Sequence, residues 1–225
     1  MKVVGLVAGW IFLVALTSPA GAEVPFHVPG STLLNKPVVS LAELRFKNIV
    51  RQAYDVSCGA AALATIFNYY YGERVGEQEL VREMLELGDK EKIRKEGFSL
   101  LEIKRFAERQ GYVSRGYRLG DVKDLTRLTV PAITLSNVRG YAHFVVIKGV
   151  AGGQVFIADP AFGNRSRPLD AFANEWNGVI LLVLSATREA NSAFTLDPTL
   201  KAPVSSVIQL LDRGLRGIAP GAGQF

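Results

Sequence analysis

The reading turns on Ser57-Cys58-Gly59-Ala60-Ala61-Ala62-Leu63-Ala64-Thr65-Ile66-Phe67-Asn68-Tyr69-Tyr70-Tyr71-Gly72. This stretch carries no charge, is rich in small and apolar residues, and closes on a glycine, which accepts the positive φ of a helix C-terminus. A helix that is apolar all round belongs in an interior, so 58–72 is predicted to run through the middle of the domain with Ser57 as its N-cap. Its first residue is the one cysteine of the chain. A helix N-terminus offers unpaired N–H groups and roughly half a positive charge, both of which favour the nucleophilic thiolate. With a cationic partner such a position brings a thiol from ~8.5 down to about 3.5–7.5. Taken alone, Cys58 reads equally well as a buried cysteine packing like a small hydrophobe.

Downstream residues break that tie. His143 opens the run His-Phe-Val-Val-Ile, and alternation places His143, Val145 and Ile147 on one face of a strand. The run Val-Phe-Ile-Ala-Asp ends at Asp159, followed by Pro160, and Gly152-Gly153 between the two runs is a hairpin turn signal. In an antiparallel hairpin the start of the first strand faces the end of the second. His143 and Asp159 are therefore expected to be neighbours, as a base and its orienting carboxylate must be. Gln52, in the loop before the helix, can aim its amide at a developing oxyanion beside the Cys58 backbone N–H, a contribution of ~3 to 4 kcal/mol to a transition state. Tyr54, Tyr141 and Phe162 are expected at the mouth of the site as substrate-binding residues.

The rest of the chain frames this set. A helix is predicted over 77–87, then a polar link to Gly97. Ser99 and Glu102 form a capping-box pattern for a helix ending at Gly111. Beyond it lie a strand at 112–117, a short helix at 122–128, strands at 130–135, 142–150 and 154–158, a short helix at 169–176 and a last central strand at 179–184. Helices first and an antiparallel group of strands after make an α+β layout, not an alternating βαβ one.

The chain has 225 residues, 48% hydrophobic and 21% charged, in the range of ordinary globular proteins. Its 26 Lys and Arg against 21 Asp and Glu give +5, scattered without a basic tract, so no nucleic-acid partner is expected. One cysteine and two histidines, His27 and His143, exclude a disulfide framework and a cysteine-based zinc cluster, and no metal is predicted. Residues 1–22 carry Lys2, an apolar run over 3–16 and Ala20-Gly21-Ala22, which reads as a signal peptide cut before Glu23. The apolar run is shorter than the ~20 residues of a spanning helix, so export to the periplasm without a permanent membrane anchor is expected. Residues 23–45, with Pro25, Pro29 and Pro37, are predicted to be extended, 46–186 to form the folded domain, and 187–225 a tail.

The segments Gln52 through Cys58-Gly-Ala-Ala-Ala-Leu to Tyr70-Tyr71-Gly72, His143-Phe-Val-Val-Ile, Asp159-Pro160-Ala-Phe-Gly163 and Phe172…Trp176-Asn-Gly178 resemble the C39 peptidases. These are papain-like cysteine proteases of the bacteriocin-processing type. The resemblance implies a papain-like fold, with N-terminal helices packed on an antiparallel sheet. It also implies Cys58 as nucleophile, His143 as general base and acid, Asp159 as its orienter and Gln52 as oxyanion donor, with no cofactor. Ser57 departs from the pattern, since many relatives carry an acidic residue there. The exported form is similar to free-standing C39 proteins, including one that accompanies bacterial functional-amyloid secretion, so the implied partners are an exported protein or peptide substrate and secretion-system components. The competing functions are a silent C39-like binding module that holds such a substrate without cutting it, and a Cys-dependent amide transferase or isopeptidase.

Overall fold

The computed structural model describes residues 23–26, 34–37 and 40–195. Two compact units divide at Leu41 and Ala42. In the first, β1 (Glu23–Phe26) and β2 (Leu34–Pro37) pair antiparallel, Glu23 opposite Pro37. The expected signal peptide, His27 and the stretch 207–211 lie outside the described residues.

Helix α1 covers Leu41–Arg45, within the segment 23–45 that the sequence predicts to be extended. The prolines all precede residue 38, and nothing in Leu41-Ala-Glu-Leu-Arg opposes a helical turn. A 3₁₀ turn at Asp55–Ser57 leads into α2 (Cys58–Thr65), whose eight residues are all buried. The helix continues through a π turn at Ile66–Tyr70, and Gly72 follows at φ +72°. Helix α3 covers Glu77–Leu85. The polar link is itself a helix, α4 (Lys90–Glu96), because the Asp89 side chain accepts from the N–H groups of Glu91 and Lys92 and Gly97 terminates it at φ +78°. Only Ile93 of α4 is buried, so hydrophobic periodicity had little to report. The Ser99–Glu102 capping box forms, with Ser99 N–H donating to Glu102 Oε2 at 2.6 Å, and starts α5 (Leu100–Arg109).

One six-stranded antiparallel sheet follows, in the order β3-β8-β4-β5-β6-β7. The strands are β3 (Val113–Arg118), β4 (Ala132–Val138), β5 (Tyr141–Ala151), β6 (Gln154–Asp159), β7 (Gly163–Pro168) and β8 (Trp176–Leu184). The residues at 122–127 form a 3₁₀ turn, and α6 (Leu169–Ala173) joins β7 to β8. Strand β7 escaped sequence reading because Gly-Asn-Arg-Ser-Arg-Pro has no apolar alternation; it is an edge strand, where proline and arginine are tolerated. Gly152 and Gly153, at φ +57° and +71°, turn β5 into β6. Residues 143–147 are all buried, so β5 is covered on both faces.

Helix α2 packs across β5. Their close approach needs Gly59, where a Cβ would stand 2.9 Å from Ile103 Cδ1 and 3.2 Å from Phe144 Cδ2. At the far end, the 3₁₀ turn Ser192–Phe194 docks what sequence reading took as the start of the tail. Asn191 N–H donates to Tyr70 O at 2.7 Å, and Phe194 is buried beside Tyr70 and under Lys148 Nζ.

Candidate active site

Helix α2 delivers Cys58 at its first position, and 8% of the residue's surface stays open. The backbone N–H groups of Phe144, Gly59 and Cys58 face the sulfur and favour its thiolate, so the thiol lies against β5 at the residue after His143. Burial nevertheless pushes the thiol up, those amides offset it only in part, and the Asp159 charge adds to the rise. The lowering expected from the helix N-terminus is thus reversed: desolvation disfavours the thiolate more than the amide dipoles favour it. A thiol in this state needs a base at the moment it attacks.

The hairpin brings His143 and Asp159 together as its geometry required. Nε2 of His143 is 2.8 Å from Asp159 Oδ2, and both side chains are fully buried. With Nε2 donating to the carboxylate, Nδ1 is left to exchange a proton with another group. Nδ1 stands 3.4 Å from the Tyr141 carbonyl, an acceptor for it once the ring is protonated. Asp159 is held from several sides. Oδ1 accepts from the N–H groups of Ala161 (2.9 Å) and Phe162 (3.0 Å), in the Asx-turn that Asp159-Pro160 forms. Oδ2 also accepts from Arg165 Nε at 2.9 Å. Burial alone would raise this carboxyl, but the bond and charge of His143, the Phe162 N–H and the Arg165 charge together hold it below the usual carboxylate range.

Gln52 sits where the sequence placed it, in the loop before α2. Its N–H donates to Pro160 O at 3.1 Å, tying that loop to the Asp159 turn, and Val50 N–H is tied to α2 through Thr65 Oγ1 at 3.0 Å. The Gln52 side-chain Nε2 reaches Tyr54 O (3.3 Å) and Tyr141 Oη (3.5 Å), while Oε1 is buried with no partner. Tyr54, Tyr141 and Phe162 are exposed at 54%, 37% and 39%. The last two enclose the imidazole: Tyr141 stacks on it with centroids 5.0 Å apart, and Phe162 meets it edge-on at 5.3 Å. Tyr54 stands close by through the Gln52 amide.

Two charged residues near this site were not singled out from sequence. Arg165, on the unrecognised β7, links Asp159 to Glu175 Oε2 at 3.4 Å, and Arg167 also pairs with Glu175. Glu77, the first residue of α3, accepts from Ala53 N–H and from the Ser57 hydroxyl. Ser57, expected as a side-chain cap of α2, makes no cap bond there because its hydroxyl is committed to Glu77 and Tyr54. A spacing signal for Glu77 does not exist, since 24 positions separate it from Ala53.

The Peptidase C39 family profile matches residues 46–188. The chain belongs to the peptidase C39 family. It is 42% identical over 179 residues, covering 80% of this chain and 79% of the relative, to the "Probable functional amyloid protease FapD" of Pseudomonas aeruginosa. Identity to the protein of the same description from Pseudomonas fluorescens is 39% over 189 residues, covering 84% and 83%. Among solved structures, the peptidase domain of Streptococcus ComA matches with a TM-score of 0.51 at 26% identity, covering 60% of this chain and 96% of that one. A double glycine motif protease from an AMS/PCAT transporter, solved with its leader peptide, matches with a TM-score of 0.50 at 26% identity, covering 60% and 89%. The α+β, papain-like C39 fold is therefore established, and the protein is a cysteine peptidase. Among the described residues, no helix of this C39 peptidase is long and apolar enough to cross a membrane.

Proposed function

We propose that this peptidase is a periplasmic endopeptidase that cleaves an exported protein or peptide in a functional-amyloid secretion pathway, through Cys58, His143 and Asp159 with Gln52 as oxyanion donor. The observation that carries the reading is the buried His143–Asp159 pair at 2.8 Å, with the Cys58 thiol facing the backbone N–H of Phe144, the residue after His143. The likeness to proteins described as functional amyloid proteases supports the pathway.

In this mechanism His143 Nδ1 takes the Cys58 proton as sulfur adds to the scissile carbonyl, which fits a thiol that burial keeps protonated. The oxyanion is met by the Cys58 N–H and the Gln52 amide, whose present bonds to Tyr54 O and Tyr141 Oη are long enough to exchange for it. The imidazolium, stabilised by Asp159 and by the Tyr141 carbonyl, gives its proton to the leaving amine and leaves a thioester. Water, deprotonated by His143, then hydrolyses the thioester and restores the thiol. Tyr54, Tyr141 and Phe162 form the lip across which the peptide lies.

The test compares the mass maps of exported proteins from cells with native protein and with Cys58→Ala. Loss of specific cleavage products in the alanine strain is expected, the two fragments of each cut summing to the precursor plus one water. Unchanged products would sink the proposal, and products bearing an amine in place of water would make the protein a transferase.

A further inference from the structure

We infer that Glu77 is a positioning residue for the oxyanion site, fixing the backbone between Gln52 and Cys58 so that the two oxyanion donors keep their spacing. This rests on the reading of Gln52 as a donor. The six residues from 52 to 57 form a loop and a single 3₁₀ turn, whose internal bonds join Ser57 to Tyr54 and the Gln52 side chain to Tyr54 O but leave the Ala53 N–H to an outside partner. Glu77 supplies what the loop lacks. Its Oε1 and Oε2 accept from the Ala53 N–H at 2.9 and 3.1 Å, and Oε1 accepts from the Ser57 hydroxyl. Ser57 Oγ in turn accepts from Tyr54 N–H at 3.2 Å. One side chain thus holds the backbone directly after Gln52 and the residue directly before Cys58.

A buried carboxylate is costly unless its charge is met. Glu77, 8% exposed, is the first residue of α3, where the helix dipole favours an anion, and it accepts from both the Ala53 amide and the Ser57 hydroxyl. The segment's other ties are Gln52 N–H on Pro160 O, Cys58 in α2, the bonds between Tyr54 and Ser57 within the turn, and the packing of that turn against α4. Without Glu77 the Ala53 N–H, directly after Gln52, loses the bonds that hold it, and the turn before Cys58 loses its link to α3. An oxyanion donor displaced by an ångström loses most of its effect, because the donor must sit at hydrogen-bond distance from the oxygen of the transition state.

Two reagents for the same sulfur separate positioning from scaffolding. p-Nitrophenyl acetate acylates Cys58 through a tetrahedral oxyanion, expelling p-nitrophenolate and leaving a thioester. Iodoacetamide alkylates it by displacement of iodide, with no oxyanion. In Glu77→Gln the ratio of acylation to alkylation rates should fall at least tenfold with alkylation within about twofold of native, part of the 10²–10³ that one oxyanion donor supplies. Gln52→Ala should lower the same ratio, and the double variant should lie within about twofold of the lower single one. An unchanged ratio in Glu77→Gln, or acylation and alkylation falling together, would overturn the inference. An unchanged ratio in Gln52→Ala alone would instead remove Gln52 as a donor, and with it the route by which Glu77 acts. Ser57→Ala, which removes the hydroxyl's bonds to Glu77 and Tyr54 and leaves the carboxylate on the Ala53 N–H, should lower the ratio about threefold and serves if Glu77→Gln does not fold.

Discussion

Arg165 Nε donates to Asp159 Oδ2 at 2.9 Å, the same oxygen that meets His143 Nε2 at 2.8 Å. One carboxylate oxygen thus serves the imidazole and a guanidinium that itself reaches Glu175. The Asp159 carboxyl, depressed in the folded state, stabilises the fold above the unfolded carboxylate pKa of ~3.9, and that stability is lost as pH falls through the folded value. Replacing Arg165 by Gln removes one of the influences that depress it. The acid unfolding midpoint should move to higher pH and stability at pH 7 should drop by about 1.5–3 kcal/mol, the worth of a hydrogen bond to a charged group. Circular dichroism followed through an acid titration measures both.

Asp159→Asn keeps the shape of the side chain and loses the charge that, in the proposed mechanism, stabilises the imidazolium. Peptide hydrolysis should fall by up to about 10⁴-fold in kcat, with KM changed far less. Steady-state kinetics on a cleaved peptide distinguish this from a binding defect, which would show in KM.

Gly59→Ala pushes a methyl group to within 2.9 Å of Ile103 Cδ1 and 3.2 Å of the Phe144 ring. Overpacking of this kind costs about 1–3 kcal/mol, and here it also lifts the helix that begins at Cys58 from the strand that carries His143. Chemical denaturation and kcat should fall together, and Ile103→Val, which removes Cδ1, should restore much of both in the double variant.

Alkaline pH acts on buried tyrosines and on the Cys58 thiol. Burial pushes the Tyr70 hydroxyl up to about 12 and also raises Tyr71, Tyr112 and the Cys58 thiol. For such acids the stabilising contribution is complete below the unfolded pKa, near 10 for tyrosine, and disappears as pH rises through the folded value. Melting temperature should therefore decline between pH 10 and 12. The decline should be shallower in Tyr70→Phe, by on the order of 2 kcal/mol over that window.

Much of the scaffold was legible because its signals are local. The capping box at Ser99, the glycines at 72 and 152–153, and the uncharged run after Cys58 each act on neighbours a few positions away, and each formed as expected. The juxtaposition of His143 and Asp159 was accessible for the same reason, since a tight hairpin converts sequence separation into register. Helix α4 and strand β7 were missed because one buries a single residue and the other is a polar edge.

What determined itself along the chain, then, is where a thiol, an imidazole and a carboxyl stand on their own elements. Tertiary structure alone decided which charges answer them. Arg165 comes to Asp159 across a second hairpin and Glu77 comes to Ala53 and Ser57 from another helix. It also decided that the thiol is raised, because the degree of burial around Cys58 depends on packing between α2 and β5. Helix caps and turns are set by short-range hydrogen bonds, whereas desolvation and ion pairing depend on which surfaces meet after folding.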